Sequence, residues 1–296
     1  MDWLTIDIHD DFDLGKIRGS GQCFTVRKTG PDAFRFITGN HTVTLREVPI
    51  DSTMTADIEE CPSGMAPNAL PAHRIAASCD STEWFDVWHD YFDMDTSYWD
   101  MRQHVAGRNP KVDDMLDYGE GLRLLRQDPW EVLVSFIISQ RKTIPAIEGC
   151  VSTLSREFGQ DIGGVHAFPS VDALYHAGIG DIRSCGVGYR DRYIKSAAKL
   201  VHYGMLDLAA LSYMNDSKLV SALKAIQGVG DKVASCTALF GYHRMGVVPV
   251  DVWIQRALDD TAVCDDGDLF DSYPGIAGMI QQYVYYWIRG TRYRKD

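Results

Sequence analysis

The sequence lacks any apolar run approaching the roughly 18 residues that a membrane span requires. Its opening stretch, MDWLTIDIHDDFD, is acidic where a signal peptide would be basic. Both absences predict a soluble cytoplasmic protein. A close cysteine cluster is missing too: the seven cysteines, at 23, 61, 79, 150, 185, 236 and 264, are odd in number and irregularly spaced. That pattern argues against a disulfide framework, a zinc knuckle and a cysteine-ligated iron–sulfur cluster, and fits reduced thiols. Internal repeats and low-complexity segments are absent. So is any excess of positive charge. The formal net charge of -12, taken as a sum, argues against a nucleic-acid partner, because phosphate binding is driven largely by Lys and Arg releasing counterions.

Distribution qualifies that sum. From Asp80 to Asp100 there are seven acidic residues and no Lys or Arg, whereas from Asp181 to Lys199 five basic residues (Arg183, Arg190, Arg192, Lys195, Lys199) stand against two acidic ones. Such segregation is compatible with one basic face. Within the acidic stretch, Trp84, Phe85, Trp88, Tyr91 and Phe92 predict a packed helix. The 296 residues, 45% hydrophobic, suffice for two domains or one elaborated one. Residues 23 to 48 alternate in a strand-like way, with turn signals at Thr29-Gly30-Pro31-Asp32 and Gly39-Asn40. After Pro71 the periodicity becomes helical and stays so to the end. The predicted fold is α+β: an N-terminal antiparallel sheet with flanking helices over residues 1–95, then a mainly α-helical region over residues 96–296.

One helix start is well marked. Asp128-Pro129-Trp130-Glu131 supplies a capping carboxylate, proline at the first helical position and Glu at the third. Val132, Leu133, Phe136 and Ile137 are its predicted buried residues, and Pro145 requires it to end in the polar stretch from Ser139 to Thr143. The most informative stretch is AIQGVGDKVASCTALFGYHRMGVVPVD, residues 225–251. One helical segment carries Leu219, Val220, Leu223 and Ile226 on an apolar face, and another carries Val233, Cys236, Leu239 and Phe240. With Gly228-Val229-Gly230 between them, they predict a helix–hairpin–helix at about residues 217–240. Gly228 and Gly230 let the backbone turn tightly and expose amides at the second helix's N-terminus, where phosphate oxygens can be held without sequence reading. Lys232 follows the hairpin. The helix N-terminus and partial burial both disfavour its ammonium form, which makes it a candidate amine nucleophile. Asp251, after Val-Val-Pro-Val, reads both as an ordinary N-cap and as a carboxylate held near the amine. An amine and a carboxylate beside a phosphate-binding hairpin point to covalent chemistry on the sugar of a nucleic acid.

GVGDKVA followed by VPVD resembles the helix–hairpin–helix DNA glycosylases, specifically the bifunctional 8-oxoguanine DNA glycosylase/lyases. The lysine discriminates, because relatives acting on alkylated bases or mispaired adenine keep the aspartate and lack it. The likeness runs from Gly19 to about Tyr286. It implies Lys232 as nucleophile and Asp251 as its electrostatic partner. Ser20-Gly21-Gln22-Cys23-Phe24 resembles a segment whose glycine carbonyl accepts a hydrogen bond from N7–H of the oxidised base, so Gly21 is the implied damage sensor. Gly186-Val187-Gly188-Tyr189-Arg190-Asp191-Arg192-Tyr193 resembles another, implying Tyr189 as a wedge in the base stack and Arg190 as a contact to the estranged cytosine. Gln281 and Tyr285, four apart on one helical face, resemble the pair that reads the base's Watson–Crick edge and stacks on its face. Cys236 resembles a cysteine that adjoins the lysine and helps orient or charge it. Implied phosphate contacts are Gly228, Gly230 and Trp253, the last standing where many members have a histidine. Arg289, Arg292, Arg294 and Lys295 at the tail are further candidates.

Departures from the eukaryotic pattern carry information as well. Where those members have an asparagine triplet and an arginine that reads the opposite cytosine, this chain has Arg141-Lys142-Thr143 and Ala146. Arg141 thus falls in the opposite-base region, one of two cytosine contacts is missing, and weaker discrimination of the opposite base is expected. The implied partner is double-stranded DNA containing an oxidised purine, and the implied reaction is attack at C1′, base loss, a Schiff base and β-elimination. No cofactor is required, although the resemblance allows a structural monovalent or divalent cation on the backbone carbonyls of Lys224, Ile226 and Val229. A monomer is expected. Two alternatives stay open: a glycosylase for another lesion on the same fold, and a non-catalytic helix–hairpin–helix DNA-binding protein.

Overall fold

A computed structural model of the chain describes residues 3–50, 55–62, 73–260, 263 and 269–291. Cys264 and the tail residues Arg292, Arg294 and Lys295 lie outside the described residues. The chain opens with β1 (Leu4–Ile8) and α1 (Leu14–Gly19). The alternating stretch then forms β2 (Arg27–Gly30), β3 (Ala33–Thr38) and β4 (His41–Glu47), followed by β5 (Ile58–Glu60) and β6 (His73–Ala77). In β3 and β4 the residues Phe34, Phe36, Val43 and Leu45 are buried and most of their neighbours less so, the period of two expected of a half-covered sheet. The six strands form one sheet in the order β2-β3-β4-β6-β1-β5.

Two features depart from the expected pattern. Residues after Pro71 do not turn helical at once, because β6 inserts between β4 and β1 and is buried from Arg74 to Ala77. Its run of Ile75, Ala76 and Ala77 is too short for its period to be read. The sheet is also not purely antiparallel: β5 lies parallel to β1, with Ile58 opposite Ile6. The acidic, aromatic stretch is helical as expected, running from α2 (Ser81–Glu83) through a π-helical turn at Trp84–Trp88 into α3 (His89–Tyr91). Trp84, Trp88, Tyr91 and Phe92 are buried against Phe36 and the sheet, while Phe85 remains exposed.

The remaining helices are α4 (Tyr98–Val105), α5 (Pro110–Tyr118), α6 (Pro129–Ser139), α7 (Ile144–Phe158), α8 (Val171–His176) and α9 (Ile179–Ile182). A π-helical turn at Arg183–Val187 and a 3₁₀ turn at Gly188–Arg190 lead into α10 (Asp191–His202). Then come α11 (Leu208–Leu211), α12 (Asp216–Lys224), α13 (Asp231–Gly241), α14 (Val252–Asp259) and α15 (Ala277–Thr291). Among the described residues, no helix is long and apolar enough to cross a membrane. The fully buried Arg123 joins the sheet half to the helical half. It donates to the Asp10 carboxylate and to the carbonyls of Asp11, Phe92, Asp93 and Thr96, and it stacks on Tyr98. A buried guanidinium is tolerable only with its donors so committed.

Helix α6 begins where the sequence predicts, with Asp128 accepting from the Glu131 amide at 2.9 Å. Every residue from Trp130 to Ser139 is buried. Along it runs α13, antiparallel. At one end a side chain on Gly241 would lie 3.0 Å from Pro129 Cα; at the other Lys232 meets Ser139; between the two helices Phe136 and Phe240 stack at 5.5 Å.

Glu131 faces the sheet half, where Thr25 Oγ1 donates to it at 2.9 Å. Burial pushes its carboxyl up from 4.5 to about 8, partly offset by the Thr25 hydrogen bond. With the folded pKa above the unfolded one, this group's contribution to stability is fully present below 4.5 and is lost as pH rises through about 8. Glu131→Gln should therefore gain melting temperature relative to wild type between about pH 5 and about pH 9. A difference that stays constant with pH would show that the carboxyl is not held neutral.

Candidate active site

The hairpin forms between α12 and α13, with Leu219, Leu223 and Ile226 buried on one side and Val233, Cys236, Leu239 and Phe240 on the other. Gly228 has φ 83°, and a Cβ there would fall 2.3 Å from Tyr193 Cγ. Only a residue without a side chain lets the hairpin pack on that ring. The Gly228 carbonyl accepts from Gln140 Nε2 at 3.1 Å, which ties the hairpin to the end of α6. Gly230 caps α13 and faces open space.

Beside the hairpin opens a cleft of about 1310 Å³. Arg141, Lys142, Arg256 and Arg289 line it together with the Lys232 amine, four cations and an amine against the single carboxylate of Asp251. In a chain of net charge -12 this local reversal answers the objection that the total raises, since a cleft lined by one sign of charge concentrates its field. Arg256 stacks over Trp253 at 5.0 Å and Arg289 over Tyr285 at 5.3 Å, so two of the guanidinium groups are held on aromatic faces. Arg141, with φ 51°, is exposed on the rim.

At the floor of the cleft a recess brings together Gly21, Lys232, Cys236, Asp251, Gln281 and Tyr285. They come from the loop after α1, from α13, from the cap of α14 and from α15. The recess holds about 30 Å³, room for about one water. A purine enters only if the lining shifts. Gly21 has φ 77°, and a Cβ there would lie 3.0 Å from Ile144 Cδ1 and 3.4 Å from the Tyr285 ring. Its loop is braced by buried Gln22, which donates to the Arg123 carbonyl at 2.7 Å and accepts from the Leu125 amide at 2.8 Å. Gln282 donates to the Ser20 carbonyl at 2.8 Å and so ties α15 to the same loop. Gln281 is buried, and its Oε1 has no hydrogen-bond partner among the described residues. An acceptor left in that state is costly and suits a ligand that brings a donor.

The Lys232 amine donates to Ser139 Oγ at 3.0 Å and lies 4.6 Å from the centre of the Phe136 ring. The side chain thus crosses from the first turn of α13 to the last turn of α6. Cys236 lies on the same face. Burial pushes its thiol up to about 11, and the neighbouring Lys232 pulls the other way. Asp251 combines both sequence readings: Oδ1 accepts from the amides of Trp253 and Ile254 at 2.9 and 3.0 Å, while the residue lines the recess. Burial pushes the Tyr285 phenol up to about 12.

Besides the hairpin glycines Gly228 and Gly230, Tyr189 and Arg190 stand outside the cleft. Tyr189 is 45% exposed on the surface, as a wedge needs. Arg190, expected to face a base, is instead buried; it donates to the carbonyls of Val187 and Gln140 and stacks on Tyr189 at 4.4 Å. The turn through Gly186 and Gly188, both at positive φ, folds its guanidinium back onto the protein. Arg190 therefore braces Tyr189 here. Sequence reasoning did not single out Ser139, Phe136, Gln140 or Arg256 as site residues. Residue spacing alone could not have found them, because nothing along the chain links position 139 to position 232.

The profile of the HhH-GPD superfamily of base excision DNA repair proteins matches residues 134–269, which defines the class. The profile of the 8-oxoguanine DNA glycosylase N-terminal domain matches residues 5–133. The chain belongs to the 8-oxoguanine DNA glycosylase family. It is 29% identical over 263 residues to the N-glycosylase/DNA lyase OGG1 of Arabidopsis thaliana, covering 85% of this chain and 67% of that protein. It is similar to a crystal structure of the Clostridium acetobutylicum 8-oxoguanine glycosylase/lyase in complex with double-stranded DNA containing cytosine opposite 8-oxoguanine. That match has a TM-score of 0.82 at 28% identity and covers 96% and 93% of the two chains. A 3-methyladenine DNA glycosylase from Archaeoglobus fulgidus shares the fold at a TM-score of 0.70 and 15% identity, so the fold by itself does not select the lesion.

The contact between Gly228 and Tyr193 gives a direct test. Gly228→Ala should lower both the melting temperature and the affinity for duplex DNA, because a side chain at positive φ would also collide with the ring. In a double-mutant cycle Tyr193→Ala should recover part of the loss. Strict additivity of the two substitutions would rule out the packing account.

Proposed function

We propose that this chain is a bifunctional DNA glycosylase and lyase of base excision repair, which removes 8-oxoguanine from double-stranded DNA and then cleaves the strand at the resulting site. The observation that carries this reading is the meeting of an amine, a carboxylate and an unpartnered glutamine acceptor in one recess beneath a cation-lined cleft. The hairpin amides near Gly228 and Gly230, together with Trp253, hold backbone phosphates, and Tyr189 enters the base stack as the damaged nucleotide turns outward. The Gly21 carbonyl accepts from N7–H, a proton that 8-oxoguanine carries and guanine lacks. Gln281 reads the base's Watson–Crick edge, and Tyr285 stacks on its face.

The nitrogen lone pair of Lys232 attacks C1′, and the base leaves with the electrons of the glycosidic bond and takes up a proton. The amine then loses its proton and the sugar ring opens to a Schiff base. Removal of the C2′ proton forms a double bond and expels the 3′ phosphate with the C3′–O pair, as in covalent amine catalysis generally. Asp251, next to the reacting atoms, stabilises the positive charge that develops on the sugar, and Cys236 shares the pocket wall with the amine. The carbonyls of Lys224, Ile226 and Val229 lie where α12 runs out of amide partners, oxygen donors of the kind that suit a hard cation of purely structural role. The Ile226 carbonyl already accepts from the Val229 amide at 3.0 Å, which leaves it one free lone pair. The chain acts as a monomer, in the cytoplasm and on the nucleoid.

Borohydride trapping on duplexes containing 8-oxoguanine tests the reading. Wild type should form a covalent complex and Lys232→Gln should form none; base release that survives in Lys232→Gln would instead mean that water is the nucleophile. Arg256→Ala and Arg289→Ala should each weaken duplex binding uniformly across sequences and lower the salt slope by about one.

Opposite-base preference follows from what faces the cleft rim. Ala146 is exposed, and both terminal nitrogens of Arg190 are engaged. Excision rates opposite the four bases should be less spread than in a relative with arginine at the Ala146 position, by roughly the 1–3 kcal/mol of one bidentate contact. Ala146→Arg should widen the spread; an unchanged spread would mean that discrimination arises elsewhere, with Arg141 the next candidate.

A further inference from the structure

Lys232 lies in the first turn of α13, yet its amine contacts a different helix. Nζ lies 3.0 Å from Ser139 Oγ and 4.6 Å from the centre of the Phe136 ring, both on the last turn of α6. Ser139 Oγ itself donates to the Phe136 carbonyl at 2.8 Å. Its only proton is thereby committed, and only lone pairs remain for the lysine. The direction of the second hydrogen bond is then fixed, with the amine donating and the hydroxyl accepting. Ser139 is buried at 9% exposure and lines the cleft, on a helix buried along almost its whole length. The acceptor therefore cannot wander, while a lysine on its four-carbon stem otherwise can.

We propose that Ser139 is a positioning residue for the glycosylase and lyase steps. Its hydroxyl, locked by the Phe136 carbonyl, holds the Lys232 amine over the Phe136 ring at the edge of the recess, so that every attack on C1′ starts from one geometry. Without the hydroxyl the amine samples many rotamers, and the fraction aligned with C1′ falls. This inference rests on the reading of Lys232 as the nucleophile. It adds a group that does not touch the substrate and acts only through the lysine.

The test compares wild type, Ser139→Ala, Ser139→Thr and Lys232→Gln. Four quantities are measured: the single-turnover rate of 8-oxoguanine release, borohydride trapping on a duplex with a preformed abasic site, Kd for a duplex carrying a tetrahydrofuran abasic analogue, and melting temperature. Ser139→Ala should slow release and trapping together, by up to on the order of 10²-fold, with Kd unchanged. Ser139→Thr, which keeps the hydroxyl, should recover most of the rate. A wild-type rate in Ser139→Ala overturns the proposal. So does equal slowing in both serine variants accompanied by a lower melting temperature, since that marks a packing role. Trapping that persists in Lys232→Gln is a separate outcome, which removes the nucleophile reading and this inference with it.

Discussion

The antiparallel contact between α6 and α13 is the constraint from which the site follows. Two helices packed in opposite senses set the end of one against the start of the other, and here that opposes Gly241 to Pro129 and Lys232 to Ser139. The glycine lets one end close tightly, and the rings of Phe136 and Phe240 stack between the two helices. Interiors packed to crystal density transmit strain rather than absorb it. Any change of register along this seam would therefore move the amine relative to the recess. The same helix reaches the sheet through Glu131 and Thr25, and its cap Gln140 reaches the hairpin at Gly228 and the Gly188–Arg190 turn at Arg190.

The sheet half contributes little to the chemistry directly and much to its geometry. Gly21 can act as a sensor only if its carbonyl is held still, and a glycine cannot hold itself. Gln22, bonded to the Arg123 carbonyl, and Gln282, bonded to the Ser20 carbonyl, brace its loop. In the motif Ser-Gly-Gln, the glutamine is thus a brace for the glycine that lines the recess. The empty acceptor on Gln281 and the small recess fit a site completed by its ligand, in which base binding supplies a donor and opens space together.

Electrostatics follow the same division between local and global. The chain carries a net charge of -12, while the cleft gathers cations, two of them held on aromatic faces. Arg190 shows how a basic residue in a recognition-like segment can be used internally. Two positive-φ glycines turn the guanidinium inward, and it supports the exposed Tyr189 from beneath.

Local signals determined a good deal without the structure. The α6 start was legible because its cap, proline and glutamate act within one turn, and the hairpin because two glycines interrupt two clear helical periods. Strands β2 to β4 were legible because one of their faces alternates with solvent; β6, covered on both sides in mid-sheet, carried no such alternation and was read as helix. The residue types at 232, 251, 281 and 285 named a chemistry, since amines, carboxylates and amides bring their reactivity with them. Tertiary structure alone decided what each of them touches. Ser139 became a partner of Lys232, and Arg190 a brace, through contacts between residues 93 and 50 positions apart in the chain, respectively. Such pairings depend on how two helices pack against each other, and no periodicity within either helix encodes that distance.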